Sequence, residues 1–162
     1  MAYVFLIILI LIFLVQRWSA TRVLHGVDFN YAPSLLLAAP EEKFQLKTNL
    51  LNSSRSFVPY IRTEVFLPLF LTIHDQDTDT SLKFWAAGKK PGVVYNSDDE
   101  NSYSYTTYLM PRSGLVHSLQ VSICRRGRYV FSGARLWGGD FFGWNENRKK
   151  AETFGEVVVY PR

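Results

Sequence analysis

The sequence predicts an all-β protein, an immunoglobulin-like antiparallel β-sandwich of about seven strands preceded by one N-terminal transmembrane helix. Three observations support this prediction. Residues 1–15 contain no charged residue, glycine or proline. After this run, the apolar residues recur with a period of two, which is the pattern of half-buried strands rather than of helices. Clusters of turn-forming residues interrupt the alternation about every dozen residues, as they do in sandwiches.

The N-terminal apolar run, extended to Trp18, forms a helix that rises roughly 25 Å, slightly less than a ~30 Å hydrocarbon core. A signal peptide would need a basic residue before the run and a small-residue cleavage site after it, and the sequence has neither. A buried helix of a globular domain would show a polar face, which this run lacks. A membrane anchor fits best, with Trp18 at the interface and Arg17 and Arg22 flanking the span.

These arginines follow the helix, so the positive-inside rule places the next domain in the cytoplasm. The predicted location is therefore the cell membrane, as a single-pass protein with a cytoplasmic domain. The predicted organisation is a transmembrane helix at residues 1–18, a juxtamembrane linker at residues 19–26 and a β-sandwich domain at residues 27–162.

The clearest strand lies at residues 42–52, where the even-numbered positions from Phe44 to Leu50 form one face and polar residues form the other. A second strand, between Pro59 and Pro68, has prolines where a strand boundary or a sheet edge tolerates them. The sequon that begins at Asn52 is interpreted as a turn between these two strands. Further strands are predicted at residues 27–31, 82–85, 102–110, 115–124, 128–137 and 156–161.

Residues 74–81 are the main candidate for metal chemistry, because three aspartates alternate there as at the start of a calcium loop. The sixth position from Asp75 is Thr80 instead of glycine, and the twelfth is Ala86 instead of glutamate, so the loop fails the EF-hand pattern. We therefore predict no catalytic residue, no metal, no cofactor and a non-enzymatic protein. Metal-dependent activity at residues 74–81 is the alternative.

A basic turn at residues 124–129 carries three arginines, and the last third of the chain holds most of the positive charge excess. One interpretation is a hairpin turn with Gly127 at positive φ and the arginines in solvent. Another is a patch that meets anionic lipid headgroups, where each cation contributes about 1 kcal/mol. The structural interpretation is preferred, and nucleic acid is not a predicted partner. The lipid-facing alternative uses Arg17, Arg22, Arg125, Arg126 and Arg128.

Residues 124–162 contain three short motifs in a fixed order: Arg-Arg-Gly-x-Tyr, then Asp-x-Phe-Gly, then Tyr-Pro. Together they resemble the signature of a bacterial family, domain-of-unknown-function family fifty-eight, over roughly residues 27–162. Phe141 departs from the proline of the family pattern. The matching residues are Arg125, Arg126, Gly127, Tyr129, Asp140, Phe142, Gly143, Tyr160 and Pro161.

The resemblance implies a membrane-tethered bacterial protein whose sandwich follows its transmembrane segment. Members usually have two such helices and a von Willebrand factor A-like domain after the Tyr-Pro motif, whereas this chain shows one helix and reaches only Arg162. It also implies partners, namely an AAA+ ATPase of the MoxR type or a von Willebrand factor A-type protein, in envelope protein maturation or stress. The predicted function is a membrane-anchored interaction or scaffold module, with the lipid bilayer as a further partner.

Overall fold

The alternation of apolar and polar residues is realised as strands in a computed structural model, which describes residues 2–74, 92–95, 100–140 and 145–160. Helix α1 precedes twelve strands within these residues. The bounds are α1 Ala2–Arg22, β1 Val27–Pro33, β2 Leu37–Ala38, β3 Lys43–Asn52, β4 Val58–Pro68, β5 Leu71–Ile73, β6 Gly92–Tyr95, β7 Glu100–Leu109, β8 Gly114–Ile123, β9 Gly127–Phe131, β10 Ala134–Gly139, β11 Glu146–Ala151 and β12 Gly155–Val159.

The strands form three sheets that share one hydrophobic core. A four-stranded sheet has the order β1-β3-β8-β5, a five-stranded sheet has the order β11-β10-β4-β7-β6, and a three-stranded sheet has the order β2-β12-β9. All strand pairs are antiparallel except β2 with β12, which pair in parallel over two residues. The predicted antiparallel β-sandwich with one helix before it is therefore confirmed, but the described residues form twelve strands where about seven were predicted.

Strand β3 shows how the sequence pattern determines which side chains enter the core. Its buried positions alternate with exposed ones, and the predicted inward residues from Phe44 to Leu50 are all buried. Strand β4 likewise buries one alternating face, which consists of Ile61, Thr63, Val65 and Leu67. A strand edge was one interpretation of its two prolines, but β4 is the central strand of the five-stranded sheet. The register with β7 shifts between Val58 and Ile61, so Pro59 lies at an irregularity that tolerates its missing N–H.

Residues 128–137, predicted as one strand, form two strands in different sheets. Strand β9 pairs with β12, whereas β10 pairs with β4 and β11. The chain changes sheets at Gly133, whose φ is +122° and whose carbonyl oxygen accepts hydrogen bonds from Phe66 N (3.1 Å) and from the Tyr31 hydroxyl. A Cβ at this position would lie 2.1 Å from the Ala151 carbonyl oxygen, so only glycine fits.

The N-terminal helix requires a correction. Among the residues that the structure describes, no helix has the length and apolar character needed to cross a membrane. The described apolar residues 3–15 rise only about 20 Å at 1.5 Å per residue, against a ~30 Å core. The helix then continues through polar residues to Arg22, and Gln16 is buried against the sandwich. The predicted single-pass location in the cell membrane is therefore wrong.

The segment predicted as a linker packs against the sandwich. Val23 and Leu24 are 3% and 7% exposed and belong to the common core. They lie over Gly138 of β10, where a Cβ would be 2.5 Å from Val23 Cγ1 and 2.8 Å from Leu24 Cδ2. The close approach of helix end and sheet therefore depends on a glycine at this point of β10.

Candidate functional site

The basic turn at residues 124–129 connects β8 of the four-stranded sheet to β9 of the three-stranded sheet. The predicted hairpin is therefore wrong, because these two strands do not pair, whereas the arginines are exposed as predicted. Gly127 has a φ of +154°, and the Tyr129 hydroxyl donates a hydrogen bond of 2.8 Å to the Arg125 carbonyl oxygen. Cys124, interpreted as a residue on a strand, lies just after β8 and is exposed. The turn is thus closed by its own tyrosine.

The three arginines of this turn have different surroundings. Arg128 forms an ion pair with Glu156 (2.5 Å), and this contact raises the pKa of its guanidinium. The Arg125 guanidinium lies 4.2 Å from the centre of the Phe70 ring. Arg126 is exposed. Because neighbouring groups engage two of the three, the turn does not form one uniform patch of free cations. Two further arginines belong to the predicted lipid-facing set. Arg22 lies 5.5 Å from the Trp18 ring centre, and Arg17 lines a cleft beside α1.

Asp140, the acidic residue of the second signature motif, ties helix α1 to the end of β10. It is 3% exposed, and its Oδ2 accepts hydrogen bonds from Asn145 N (3.2 Å) and Gln16 Nε2 (3.4 Å). The Asp140 carboxylate therefore satisfies the backbone amide of Asn145. Tyr160 donates its backbone N–H to the Ala38 carbonyl oxygen. Phe142, Gly143 and Pro161, predicted as signature residues, lie outside the described residues.

Residues 75–81 of the acidic loop and the predicted strand at residues 82–85 lie outside the described residues. His74 is described, and its Nε2 lies 2.6 Å from Ser122 Oγ. Ser122 is 7% exposed, so this contact fastens the end of β5 to β8 in a covered position. The described residues contain no group of three or more potential metal ligands.

His117 lies in an aromatic cluster between the two larger sheets. Its ring stacks on Tyr105 at 4.7 Å and on Tyr103 at 5.7 Å, and its Nε2 lies 3.2 Å from the Tyr103 hydroxyl. The Tyr105 hydroxyl lies 3.4 Å from Thr48 Oγ1. Burial lowers the pKa of His117 below its ordinary value of 6.5 and raises the pKa of Tyr105 to about 12. At neutral pH, the cluster is therefore an uncharged polar bridge across the core.

This burial predicts a pH dependence of stability. The unfolded chain binds a proton at His117 near pH 6.5, whereas the folded chain binds it only at lower pH. The contribution of His117 is therefore fully present above pH 6.5 and is lost as the pH falls below that value. Urea unfolding between about pH 5 and pH 8 should show this loss, and His117→Gln should reduce its slope while His25→Gln retains it. An unchanged slope in His117→Gln would contradict the prediction.

The outer face of the five-stranded sheet carries a ladder of alternating cations and aromatic rings. Trp137 of β10 has the Arg62 guanidinium 5.2 Å and the Arg135 guanidinium 5.6 Å from its ring centre. Arg135 also lies 5.4 Å from the centre of Phe66. We call Phe66, Arg135, Trp137 and Arg62 the arginine–tryptophan ladder. Each cation–π contact stabilises the arrangement by about 0.5–1 kcal/mol at an exposed site, so these contacts hold the side chains in place.

Strand pairing places two further cations, Arg148 and Lys150, beside the ladder. Trp137 is directly opposite Arg62 of β4 on one side and Arg148 of β11 on the other. One residue pair away, Arg135 lies between Glu64 and Lys150. The ladder and these neighbours therefore form one basic and aromatic surface, which we call the ladder face: Phe66, Arg135, Trp137, Arg62, Arg148 and Lys150.

The ladder face was not predicted as a site, although the sequence contains its signal. Arg135 and Trp137 are two residues apart on a strand, so they point to the same side. Arg62 lies between two inward residues of β4 and must point outward. The missing information is that β4 and β10 are neighbours, and only the sheet order supplies it.

A cleft lies between α1 and β11. This cleft has a volume of about 810 Å³ and is lined by Phe13, Gln16 and Arg17 of the helix and by Asn147, Arg148 and Lys149 of the strand, among others. Lys149 is already engaged, because its Nζ donates to the Val27 carbonyl oxygen at 2.7 Å and lies 3.5 Å from Asp28 Oδ1. The cleft is open and shares Arg148 with the ladder face.

Comparison with known proteins gives the fold. No protein-family model matches the chain, and no curated protein sequence matches it. A non-cellulosomal cohesin from the archaeon Archaeoglobus fulgidus superimposes with a TM-score of 0.50 at 13% identity, over 82% of this chain and 91% of the cohesin. The CARDB domain of a Pyrococcus furiosus protein, in complex with di-metal ions, has a TM-score of 0.49 at 12% identity, over 84% of this chain and 94% of that domain.

A third similar structure is the solution structure of CaCohA2 from Clostridium acetobutylicum, with a TM-score of 0.48 at 14% identity, over 82% of this chain and 90% of that one. Identities this low are informative about backbone architecture alone. The chain therefore has an immunoglobulin-like β-sandwich fold of the kind seen in the archaeal cohesin.

Proposed function

We propose that this protein is a non-enzymatic interaction module that binds a partner protein through the ladder face. The observation that carries the proposal is the position of Trp137, held between two arginines on an outward sheet face. A side chain used only for the core would be directed inward, as its neighbour Leu136 is.

The composition of the face supports this proposal. Tryptophan, tyrosine and arginine are the residues most enriched among those that dominate binding energy at protein interfaces. Preordering lowers the entropic cost of binding, because arginines already stacked on a ring lose less rotamer freedom when a partner docks. The sheet is also a rigid support, since β10 is paired on both sides along its whole length.

The resemblance to domain-of-unknown-function family fifty-eight adds a more specific proposal. In this version, the partner is an AAA+ ATPase of the MoxR type or a von Willebrand factor A-type protein. The support comes from the motifs at residues 124–162. A purified ATPase of this type should then bind the chain, and Trp137→Ala should weaken that binding.

Site-specific photo-cross-linking in cells tests the general proposal. A photoreactive residue at Thr106, which is exposed and directly opposite Arg62, should form a discrete cross-linked product. The same residue at Ser118, exposed on the four-stranded sheet, is the matched control and should form none. Adding Trp137→Ala should reduce the yield from Thr106 by about tenfold, because interface hot spots contribute 2 kcal/mol or more.

Two results would overturn the proposal. Equal yields of cross-linked product from Thr106 and Ser118 would show that the partner does not bind preferentially at the ladder face. A Thr106 product unaffected by Trp137→Ala would show that the ladder does not bind the partner. Circular dichroism of Trp137→Ala should show an unchanged strand spectrum, which separates loss of binding from loss of fold.

A further inference from the structure

We infer that the ladder face recognises an acidic peptide segment, in which two carboxylates flank apolar side chains in a polyproline II conformation. This inference rests on the proposed function and specifies the chemistry of the partner at the same surface. It is argued from the spacing of the cations, from their free hydrogen-bond donors and from the covering of the Trp137 ring.

The spacing comes from the strand register. Arg148, Trp137 and Arg62 occupy one row across three adjacent strands, β11, β10 and β4. Neighbouring strands lie about 4.8 Å apart, so the Cα atoms of the two arginines are about 10 Å apart. In a polyproline II segment, which has three residues per turn, residues three positions apart lie on the same side and are separated by about 9 Å. A segment with acidic residues at positions i and i+3 therefore matches this row of the sheet.

The two arginines of this row, Arg62 and Arg148, are available to bind a carboxylate. Arg135 lies 3.7 Å from Glu64, and Lys150 lies 3.4 Å from Glu152, so these two cations already have carboxylate neighbours. Arg62 and Arg148 form no ion pair within the part of the chain that the structure describes. A guanidinium that stacks on a ring leaves its N–H groups free at the edge, where they can bind a carboxylate with two parallel hydrogen bonds.

The carboxylates of the face itself are few. Within the described residues, Glu64 is largely covered, with 12% of its side chain exposed, and the others are Glu146 at the start of β11 and Glu152, which pairs with Lys150. Against them stand the four cations of the ladder face. The local excess of positive charge therefore favours an anionic ligand and should accelerate its association at low salt.

The state of the Trp137 ring favours a peptide over a single-stranded nucleic acid. Stacking of bases requires exposed aromatic faces. Here two guanidiniums lie within 5.6 Å of the ring centre and occupy that position. What the ring offers is its apolar edge and the aliphatic stems of the arginines, which suit a leucine or a similar side chain between the two carboxylates.

Isothermal titration calorimetry on the full chain tests this inference with a synthetic Glu-Leu-Leu-Glu peptide, blocked at both ends. Three comparison ligands are the Gln-Leu-Leu-Gln peptide, a Glu-Glu-Leu-Leu peptide of the same composition, and a single-stranded oligonucleotide. We expect the Glu-Leu-Leu-Glu peptide to bind at least tenfold more tightly than the other three. Raising the salt from about 0.05 M to 0.5 M should weaken its binding severalfold, because screening reduces charge pairing.

Matched variants locate the binding. Arg62→Gln combined with Arg148→Gln should weaken Glu-Leu-Leu-Glu binding at least tenfold, whereas Lys47→Gln, on the exposed face of β3, should leave it unchanged. Equal binding of the Glu and Gln peptides, or tighter binding of the oligonucleotide, would overturn the acidic-peptide assignment. If no peptide binds but the Thr106 cross-link depends on Trp137, the interaction surface stands and only its chemistry is wrong. If both experiments fail, the proposed function fails as well.

Discussion

Gly133→Ala is expected to destabilise the protein by about 3–5 kcal/mol, because the change combines backbone strain with a severe overlap. Its φ of +122° is a conformation that residues with a side chain rarely adopt. The added methyl group would lie 2.1 Å from the Ala151 carbonyl oxygen, so the backbone itself would have to move. The carbonyl of Gly133 also receives Phe66 N and the Tyr31 hydroxyl, so movement would disturb contacts to β1 and β4.

Urea unfolding, followed by circular dichroism, measures this loss as a lower midpoint. Gly155→Ala is the matched control, since a methyl group there makes ordinary contacts of 3.4 Å or more with Tyr31 and Phe131. It should change the free energy of unfolding by less than about 1 kcal/mol. If Gly133→Ala were as stable as Gly155→Ala, the change of sheet at this residue would not require glycine.

Asn52→Ala is expected to cost about 2–4 kcal/mol, because it removes four hydrogen bonds made by a completely buried side chain. Asn52 is 0% exposed. Its Nδ2 donates to the carbonyl oxygens of Ser56 (2.9 Å) and Met110 (3.0 Å), and its Oδ1 accepts from Ser54 N (3.1 Å) and Ser54 Oγ (2.7 Å). Alanine would leave these groups without the partner on which the turn depends.

Thermal or urea unfolding of Asn49→Ala gives the comparison, because Asn49 lies on the same strand and is partly exposed. That variant should lose less than about 1 kcal/mol. Similar losses in both variants would contradict the role given to the Asn52 side chain. The same burial bears on the sequon that begins here. Its asparagine is committed to the β3–β4 turn, which confirms the interpretation as a turn.

Much of the fold could be predicted because local chemistry and tertiary environment agree. Strand β3 alternates without exception up to Leu50, so its register toward the core follows from the sequence alone. The sequence pattern did not predict the strand where local chemistry and tertiary environment disagree. Strand β11 consists of Glu146, Asn147, Arg148, Lys149, Lys150 and Ala151 and has no apolar periodicity. It is a strand because β10 provides a full row of backbone partners.

At the N-terminal helix, by contrast, a strong sequence pattern led to a wrong prediction. An uninterrupted apolar run predicted a membrane crossing, and that prediction is wrong for the described helix. The sequence could not show that Gln16 donates a hydrogen bond to Asp140 from 124 positions away, or that Leu24 is buried against β10. Such contacts depend on how distant segments meet.

The sequence by itself determined that this protein is an antiparallel β-sandwich with an apolar helix before it, since period-two alternation and turn chemistry are local properties. It also indicated the positive φ of Gly127, because a glycine between arginines is a local signal. Only the tertiary structure decided that the chain changes sheets at Gly133 and that Arg62, Trp137 and Arg148 share one row. The physical reason is that strand order is set by non-local backbone pairing and core packing, which no short stretch of sequence encodes.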